Sequence, residues 1–535
     1  MSSSNRRLIG ARPFTGLARV TALGLRTSWV AIALATGTCV VLVVAVAIGV
    51  KGLYPSAAAR AEYAATAGAS VPSIAFNGRG YGLTSLGGIT GVEVGFTGQL
   101  LFPLMGLLTA IRLTRREEET GRTELLTASR VGRLAPLAAA TILLTFVALA
   151  TGLLMTIGMA ATGLPAEGSA WYAAGASACT LFFAAIGLLL GQLCQQAITA
   201  RQLGIGLVLM AFLIRFIVDG LQWDAVWASP LGWLPEARAF DDPRAWPLAA
   251  YAVGSLILLA ACTIAAWHRD AGAGVFAPRP GPARGQAQQR AWRLALALER
   301  TGTTPLLLIT CLWTLFIGLF SEEMTRIIQA NPSLLAAMGL ERGTDLMAAM
   351  AATVMVAAAG TVGVLGASRL TAEESAGRLG MLLSTRCSRA RLWSGWWATT
   401  LLSSAAVLVA SALLLGMSTW AVSGERGALG TALKIGACYL PAVLLIAAAS
   451  AVLAALGPRW PVLGWAIVLW MVVVGFLAEA LDLPEWARDL SPAHLVGVLP
   501  VDDPDPQVIA YQGAAAATLL PVSLLIFRRR SLRAG

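Results

Sequence analysis

Apolar stretches of about 20 residues recur along the whole chain, from Thr27 to Leu525. A helix needs roughly 20 predominantly apolar residues to cross the ~30 Å hydrocarbon core of a bilayer, so each stretch is a candidate transmembrane helix. Hydrophobic residues make up 57% of the chain and charged residues only 13%, a balance that no water-soluble domain could hide in its core. The sequence therefore predicts an all-α integral membrane protein.

The apolar stretches form two groups of six that are separated by a polar segment. The first group comprises residues 27–50, 95–113, 134–162, 170–195, 202–219 and 246–267. The second group comprises residues 305–320, 346–370, 392–422, 428–456, 461–481 and 508–527. The segment between them is rich in Pro, Gln and Arg, a composition typical of a linker. We predict about 12 transmembrane helices, with a first half at 1–267, a cytoplasmic linker and interfacial helix at 268–303, and a second half at 304–535.

The charges indicate how these spans are oriented. If the N-terminus is cytoplasmic, most of the 39 Lys and Arg residues fall in cytoplasmic segments, whereas most of the 28 Asp and Glu residues fall on the outer side. This is the positive-inside bias of membrane proteins. Topology thus accounts for the net charge of +11 without a nucleic-acid partner. We expect a multi-pass protein of the plasma membrane, in contact with the lipid bilayer, with both termini cytoplasmic.

Both halves begin with a basic amphipathic segment. Residues 14–26 and 290–300 place Leu, Ala and Val on one helix face and Arg on the other, directly before the first span of each half. This pattern predicts helices that lie in the cytoplasmic membrane interface. An ordinary basic flank of a span is the alternative interpretation.

Two sequence matches relate the halves to each other. Residues 117–122 (EEETGR) match residues 373–378 (EESAGR) at an offset of 256. Later in each half, the Ser-Pro pair at 229–230 matches 491–492, and the Asp-Asp-Pro run at 241–243 matches 502–504, at offsets of 262 and 261. Two matches at nearly equal spacing indicate a duplication. Because each half has an even number of spans, we predict parallel repeats with a pseudo-twofold axis along the membrane normal.

The matching loops are acidic although membrane orientation requires only Lys and Arg there. A short helix with Glu at its start, Leu in its middle and Arg at its end suits the helix dipole, and it offers a mixed apolar and charged surface to a soluble partner. A solvated, self-capped turn is the alternative. The candidate contact residues are Glu117, Glu118, Glu119, Gly121, Arg122, Glu124, Leu125 and Leu126 in the first loop, and Glu373, Glu374, Gly377, Arg378, Met381 and Leu382 in the second.

A family resemblance rests on this loop. Residues 119–126 (ETGRTELL), followed by Val131, resemble the cytoplasmic loop of ABC transporter permeases of the type-2 exporter class, whose pattern is roughly E-x-G-T-x-E-x-L-L. In that class the loop is the coupling helix that contacts the ATPase subunit. The whole chain resembles the fused permeases of polyketide-antibiotic exporters of the tetronasin type. This resemblance implies two copies of a separate ABC ATPase subunit, one per loop, and a lipophilic small-molecule cargo.

The chain has no G-x-x-x-x-G-K-[ST] phosphate-binding loop. We therefore expect a transport subunit without its own ATPase site and without a bound cofactor, with ATP and Mg held by the partner subunits. The second loop has Gly380 and Met381 where the first has Glu124 and Leu125. This departure predicts weaker docking at the second loop and unequal coupling of the two ATP sites.

Two other functions are compatible with parts of this pattern. A secondary, proton-coupled transporter of the major facilitator type also has six plus six spans, but Gly121-Arg122 is only a fragment of its loop motif and the predicted spans lack central acids. A membrane-embedded enzyme could use the outer Asp-Asp-Pro runs, although we expect these to cap the spans that follow. With two distant histidines, His268 and His494, a histidine-built metal site is not expected.

Arg215 stands inside a predicted span, four residues before Asp219. An unpaired charge within the hydrocarbon region is unfavourable, and residues four apart on a helix are neighbours. Near the outer end of the span, Arg215 could extend to the membrane interface or pair with Asp219, and we expect such a structural role rather than contact with the substrate. No residue in the sequence identifies the site that binds cargo.

Overall fold

The computed structural model describes residues 13–66, 71–127, 131–270, 272–275, 291–329, 343–478 and 483–531. Across these ranges the regular structure is helical, without a strand. Eleven helices in these ranges are long and apolar enough to cross a membrane. The prediction of an all-α integral membrane protein is confirmed.

The chain divides into two compact units, residues 1–280 and residues 281–535. The long helices of the first unit are α1 (Leu17–Leu53), α2 (Gly95–Ile111), α3 (Ala135–Ala161), α4 (Ala166–Leu193), α5 (Ala197–Gly220) and α6 (Trp246–His268). Short helices at Ala57–Ala65, Val71–Asn77 and Leu86–Glu93 connect α1 to α2, and another at Trp233–Glu236 lies between α5 and α6. Each of the first six predicted spans coincides with one of the long helices.

The second unit contains α7 (Ala291–Gln329), α8 (Gly343–Ser375), α9 (Arg389–Ser423), α10 (Ala428–Leu456), α11 (Val462–Leu477) and α12 (Pro506–Arg529). A short helix at Glu485–Arg488 precedes α12. Five of these helices match predicted spans at full length. The exception is α11, which has 16 residues. Its predicted span, 461–481, extends into residues 479–482, which lie outside the described residues.

The two basic amphipathic segments are helical, but they are not separate helices. Helix α1 runs without a break from Leu17 to Leu53, and α7 runs from Ala291 to Gln329. No proline occurs within α1, and Pro305 lies inside α7 without ending it. The prediction of independent interfacial helices is corrected in this respect, because the segments form the first turns of α1 and α7.

The helix pairs that pack in the first unit recur in the second, where α9 also packs on α12. In the first unit, α1 packs on α2 and α3, α2 on α3, α4 and α5, α3 on α4, and α4 on α5 and α6. In the second unit, α7 packs on α8 and α9, α8 on α9, α10 and α11, α9 on α10, and α10 on α11 and α12. Every pair of the first unit thus has its counterpart in the second. Shared packing agrees with the internal duplication that the loop sequences indicate.

Small residues allow the central helices of each unit to approach closely. A Cβ atom on Gly106 of α2 would lie 2.1 Å from the carbonyl oxygen of Thr180 on α4, and one on Gly187 of α4 would lie 2.6 Å from the carbonyl oxygen of Leu107. In the second unit, a Cβ on Gly363 of α8 would lie 2.7 Å from Cα of Ala447 on α10. Such contacts are typical of membrane helices that pack backbone to backbone. They hold α2 closely against α4 and α8 closely against α10.

The duplicated motifs late in each half also occupy matching places. The Tyr251 hydroxyl of α6 donates to the carbonyl of Pro230 at 2.5 Å, and the Gln512 side-chain amide of α12 donates to the carbonyl of Pro492 at 2.8 Å. The expected capping by the Asp-Asp-Pro runs is wrong. Helix α6 begins after Ala245 without a side-chain cap, and the residue that caps α12 is Asp505, whose carboxylate accepts from the Gln507 amide. The proline in each run separates the aspartates from the helix start.

Of the two structural roles expected for Arg215, the structure shows the pairing with Asp219 within α5. Arg215 and Asp219 are 1% and 2% exposed, and Nη1 lies 3.4 Å from Oδ2. Arg215 Nη2 also donates to the carbonyls of Ala75 and Phe76. The guanidinium therefore ties α5 to the short helix Val71–Asn77, which is a structural role.

Candidate functional site

The first acidic loop, residues 112–134, continues directly from α2. The helix does not end at Ile111, but passes through a π-helical turn at Arg112–Arg116 and a final turn at Glu117–Glu119. Gly121 then adopts a left-handed conformation with φ of 74°, and a short helix follows at Arg122–Thr127. Single π-helical turns occur frequently at functional sites of helices.

The second acidic loop, residues 371–389, follows the same path. Helix α8 ends at Ser375, Gly377 has φ of 73°, and a short helix follows at Arg378–Leu383. A Cβ atom on either Gly121 or Gly377 would meet open space. Glycine is therefore required at both positions by the positive φ and not by a close neighbour. We call the end of each unit that carries its acidic loop the loop end.

Glu118 is a buried anchor of the first loop. Its side chain lies 2.8 Å from Nη1 of Arg115, and it forms a bidentate pair with Arg269 at 2.7 and 2.8 Å. The amide of Gly272 donates to the same carboxylate at 2.9 Å. Arg269 and Gly272 follow the last residue of α6. Glu118 consequently fastens the loop to the end of α6, and it does not point to solvent.

Arg115 connects the loop to a second neighbour. All its N–H groups have acceptors. Nε and Nη2 donate to the carbonyl of Gln195, and Nη2 also donates to the carbonyl of Gly272. Nη1 donates to the Glu118 carboxylate and to the carbonyl of Ala273. Gln195 lies in the connection between α4 and α5. A guanidinium that is 1% exposed with every donor satisfied is a rigid cross-link between three segments.

The second unit repeats the anchor with fewer partners. Glu374, which is 3% exposed, accepts a hydrogen bond from Arg530, the residue that follows α12. Arg389 donates to the carbonyl of Arg530 at 2.7 Å, just as Arg133 donates to the carbonyl of Arg269. The loop glutamates are thus each held by the arginine that follows the sixth helix of their own unit.

These arginines were not among the predicted site residues, but the sequence carries a signal for them. Arg133 and Arg389 share the offset of 256 with the loop glutamates, and Arg269 and Arg530 share the offset of 261 with the later motifs. Cationic residues directly after a helix are usually read as dipole partners or topology signals. Only the fold brings them to the buried glutamates.

The tips of both loops are exposed and apolar. Leu125 is 76% exposed and its counterpart Met381 is 64% exposed. Beside each tip an exposed ion pair has formed, between Arg122 and Glu117 at 3.2 Å and between Arg378 and Glu373 at 2.6 Å. The hydrogen bond to Glu373 raises the pKa of Arg378 above its ordinary value, so that guanidinium stays charged.

The predicted contact residues therefore separate into groups with different surroundings. Glu119 leaves the tip and accepts a hydrogen bond from the Ala197 amide at the start of α5, at 2.6 Å. Leu126 and Leu382 are half-buried beneath the tips. The side chains exposed at the tips are Arg122, Glu124 and Leu125 in the first loop and Arg378 and Met381 in the second.

An apolar groove of about 300 Å³ lies between α3, α4 and α6 of the first unit. Its wall includes Leu144, Leu181, Leu188, Leu256 and Leu259. The second unit instead packs large aromatic side chains between α9 and α12, where the rings of Trp393 and Phe527 stack at 4.3 Å. The two units therefore differ in the space they leave beside their sixth helix.

The fold and the two loops define the class: a multi-pass α-helical membrane protein built from two similar units, each with an anchored acidic loop at one end. Residues 289–528, which lie in the second unit, match the family model of the C-terminal domain of the multidrug efflux system permease Rv1217c. Over 498 residues the chain is 29% identical to the multidrug efflux system permease protein Rv1217c of Mycobacterium tuberculosis, covering 90% of this chain and 89% of that protein. The chain is thus similar to an efflux permease over almost its entire length, and this similarity does not favour the secondary-transporter alternative.

Proposed function

We propose that this chain is the transmembrane permease subunit of an ABC exporter, in which a separate ATPase drives export. The observation that carries the proposal is the pair of loops, each with an exposed apolar tip on a buried glutamate–arginine anchor. An exposed leucine or methionine beside charged side chains is suited to docking into a groove of a soluble protein. The similarity to a multidrug efflux permease supports the same function.

The anchors explain how such docking could move the membrane helices. In the first unit the loop is covalently continuous with α2, and its glutamates bind the end of α6 and the start of α5. A displacement of the tip would therefore shift these three helix ends together. Two ATPase copies that close on ATP would in this way switch the units between inward-open and outward-open states.

The proposed orientation places both loop ends and both termini in the cytoplasm, following the distribution of Lys and Arg. Two copies of the ATPase subunit would bind there, one to each loop, and would hold the ATP and Mg. This chain would bind no cofactor of its own. Its cargo would be hydrophobic or amphiphilic compounds, including antibiotics of the tetronasin type, for which the apolar groove of the first unit offers a compatible surface.

A cross-linking experiment tests the docking. Leu125→Cys and Met381→Cys are introduced separately into a chain in which Cys387, half-buried in the second loop, is replaced by Ser. The chain is co-expressed with a candidate ABC ATPase partner and treated with a short bifunctional thiol reagent. Both variants should form a cross-link to the ATPase, because both tips are exposed.

The matched control is Leu53→Cys, which is 73% exposed at the far end of α1. Helix α1 has 37 residues and therefore spans roughly 55 Å, so this position lies far from the loop end. It should give no cross-link above background. Labelling of Leu125→Cys by an impermeant reagent from outside the cell, or drug transport by the purified chain without any ATPase, would show that the proposal is wrong.

A further inference from the structure

Glu299 is a buried acid in the second unit that has no cationic partner among the residues the structure describes. It lies on α7 within a candidate membrane span, Trp292–Glu322, and is 3% exposed. The charged side chains that the adjacent helices carry near this level are Arg300 on α7 and Arg369 on α8. Arg369 donates to the Thr301 hydroxyl, and among the described residues neither arginine forms an ion pair with Glu299. Helix α9 carries charge only at Arg389 and Arg391, more than two turns before its contact with Glu299.

The surroundings of the carboxyl group are almost filled. Oε1 is in hydrogen-bond contact with the hydroxyl of Thr400 on α9, which is fully buried, and Oε2 has no hydrogen-bond partner among the described residues. A Cβ atom on Gly366 of α8 would lie 2.7 Å from Thr400 and 3.2 Å from Oε1 of Glu299. Among the described residues, no group of His, Cys, Asp and Glu side chains that could hold a metal ion surrounds this carboxyl group.

The contacts and the burial of the carboxyl group favour its protonated form. The Thr400 hydroxyl has one proton but lies near two acceptor oxygens, the Glu299 carboxyl and the carbonyl of Trp396 at 3.2 Å. If Glu299 were ionised, one of these contacts would join two acceptors. If Glu299 carries a proton on Oε1, it donates to Thr400, and Thr400 donates to the Trp396 carbonyl. Both contacts are then hydrogen bonds, and no unpaired charge is buried.

We infer that Glu299 and Thr400 form a proton-binding site, which is occupied while α7, α8 and α9 pack as they do in this structure. The site goes beyond the proposed export function, because it needs neither the loops nor the ATPase. Separation of the three helices would admit water, stabilise the carboxylate and release the proton. The packing of α7 against α8 and α9 is therefore coupled to the binding of one proton.

The sign of the pH effect follows from linkage. An unfolded glutamate loses its proton near pH ~4.3, whereas the packed unit retains it to higher pH. The folded state therefore binds more protons in the intervening range, and the stability of the wild type should fall as pH rises through it. Glu299→Gln has no proton to lose and reproduces the shape and hydrogen-bond donor of the neutral acid.

The test uses the full chain in nanodiscs and follows thermal unfolding from about pH 6 to about pH 9. Glu299→Gln should match the wild type at the low end and unfold at a temperature several degrees higher than the wild type at the high end. The control Glu425→Gln, at an exposed position, should follow the wild type throughout. Thr400→Val should unfold at lower temperature than the wild type at the low end, and Thr400→Ser, which keeps the hydroxyl, should restore wild-type behaviour.

A second measurement on the wild type decides the matter if a variant fails to fold. A hydrophobic carbodiimide reacts with the protonated acid: the carboxyl proton moves to a carbodiimide nitrogen while the carboxyl oxygen bonds to its central carbon. Modification of Glu299, mapped by peptide mass, should be lower at pH 9 than at pH 6, because less of the acid is protonated. Stabilisation of the wild type by sodium ions but not by protons, or a Glu299→Gln variant that is less stable at every pH with an unchanged pH dependence, would overturn the inference. So would wild-type stability independent of pH together with no modification.

Discussion

The two acidic loops share one backbone path but differ in how firmly they are held. In the first unit, Glu118 binds two arginines and a backbone amide, and Glu119 binds the start of α5. In the second unit, Glu374 binds one arginine, and its Oε1 and the Nε of Arg530 have no hydrogen-bond partner among the described residues. The backbone path of the loop is the same in both units, whereas the number of contacts that hold it differs.

This difference teaches which parts of the site are essential to its geometry. Both units keep the glycine with positive φ, the buried glutamate, and the arginine after the sixth helix. The π-helical turn and Arg115 occur only in the first loop, and Thr371 stands at the matching position of the second. The common features define the loop, and the additional ones bind it to α5 and to the connection before α5.

The largest contrast should come from removing the charge of each anchor. Glu118→Gln would leave Arg115 and Arg269 without their carboxylate, and removal of one partner from a buried ion network destabilises by about 3–5 kcal/mol. Glu374→Gln leaves only Arg530 without its carboxylate. Because the Arg530 side chain is 18% exposed and can reach water, we expect a destabilisation of about 1–2 kcal/mol. Denaturant unfolding of the full-length protein carrying each substitution measures both losses of stability.

Glu373→Gln, at a half-buried position whose partner Arg378 is exposed, is the control for a simple loss of one loop charge, and it should change stability by less than about 1 kcal/mol. Equal destabilisation by Glu118→Gln and Glu374→Gln would remove the basis for treating the first loop as the more firmly held copy.

The glycine turns should respond equally, which tests the shared backbone path. Gly121→Ala and Gly377→Ala each place a Cβ atom at φ near +74°, where an L-residue is disfavoured by about 1–2 kcal/mol. Neither Cβ would meet a neighbour, so the loss of stability should come from the backbone conformation and not from a steric clash. Unfolding measurements should give values within about 0.5 kcal/mol of each other. Asn at either position, which tolerates this conformation better, should restore part of the loss.

Glu119 provides a smaller test of the attachment to α5. Its carboxylate accepts from the Ala197 amide in the manner of an N-terminal cap, and loss of such a cap costs about 1 kcal/mol. Glu119→Ala should show this loss. The matching Ser375→Ala should be nearly neutral, because the Ser375 hydroxyl only donates to the carbonyl of Thr371 in its own helix. A loss in Ser375→Ala as large as that in Glu119→Ala would indicate an attachment of the second loop to a neighbouring helix.

The positions of the helices could be predicted from sequence because bilayer thickness imposes a length and a composition on each span. The predicted helix boundaries were less accurate where a helix continues beyond its apolar stretch. The basic first turns of α1 and α7 were separated from their spans, since hydropathy falls there while the helix continues. Glu299 was assigned to a cytoplasmic segment for the same reason, although it is buried between α7, α8 and α9.

The loops were recognised as a repeated motif, but their internal division was not predictable. Glu118 and Glu119 are adjacent acids that cannot be distinguished in the sequence. On a helix they point to different sides and therefore contact different neighbours. Whether a glutamate is buried depends on residues that follow a different span, about 150 positions later in the chain. These distant residues come together only because the sixth helix of each unit packs against the fourth.

The smallest effect on stability and the sharpest effect on function should come from the loop tips. Glu124 and Gly380 occupy matching exposed positions, so an arginine at either should change the free energy of unfolding by less than about 0.5 kcal/mol. If the tips dock on the ATPase, Glu124→Arg removes an acid from the contact and adds a base, whereas Gly380→Arg only adds a base. Glu124→Arg should therefore reduce drug-stimulated ATP hydrolysis of the complex more than Gly380→Arg does. Equal reductions would contradict unequal coupling, and a variant with Gln at 124 should fall between the wild type and Glu124→Arg, because it removes the charge without reversing it.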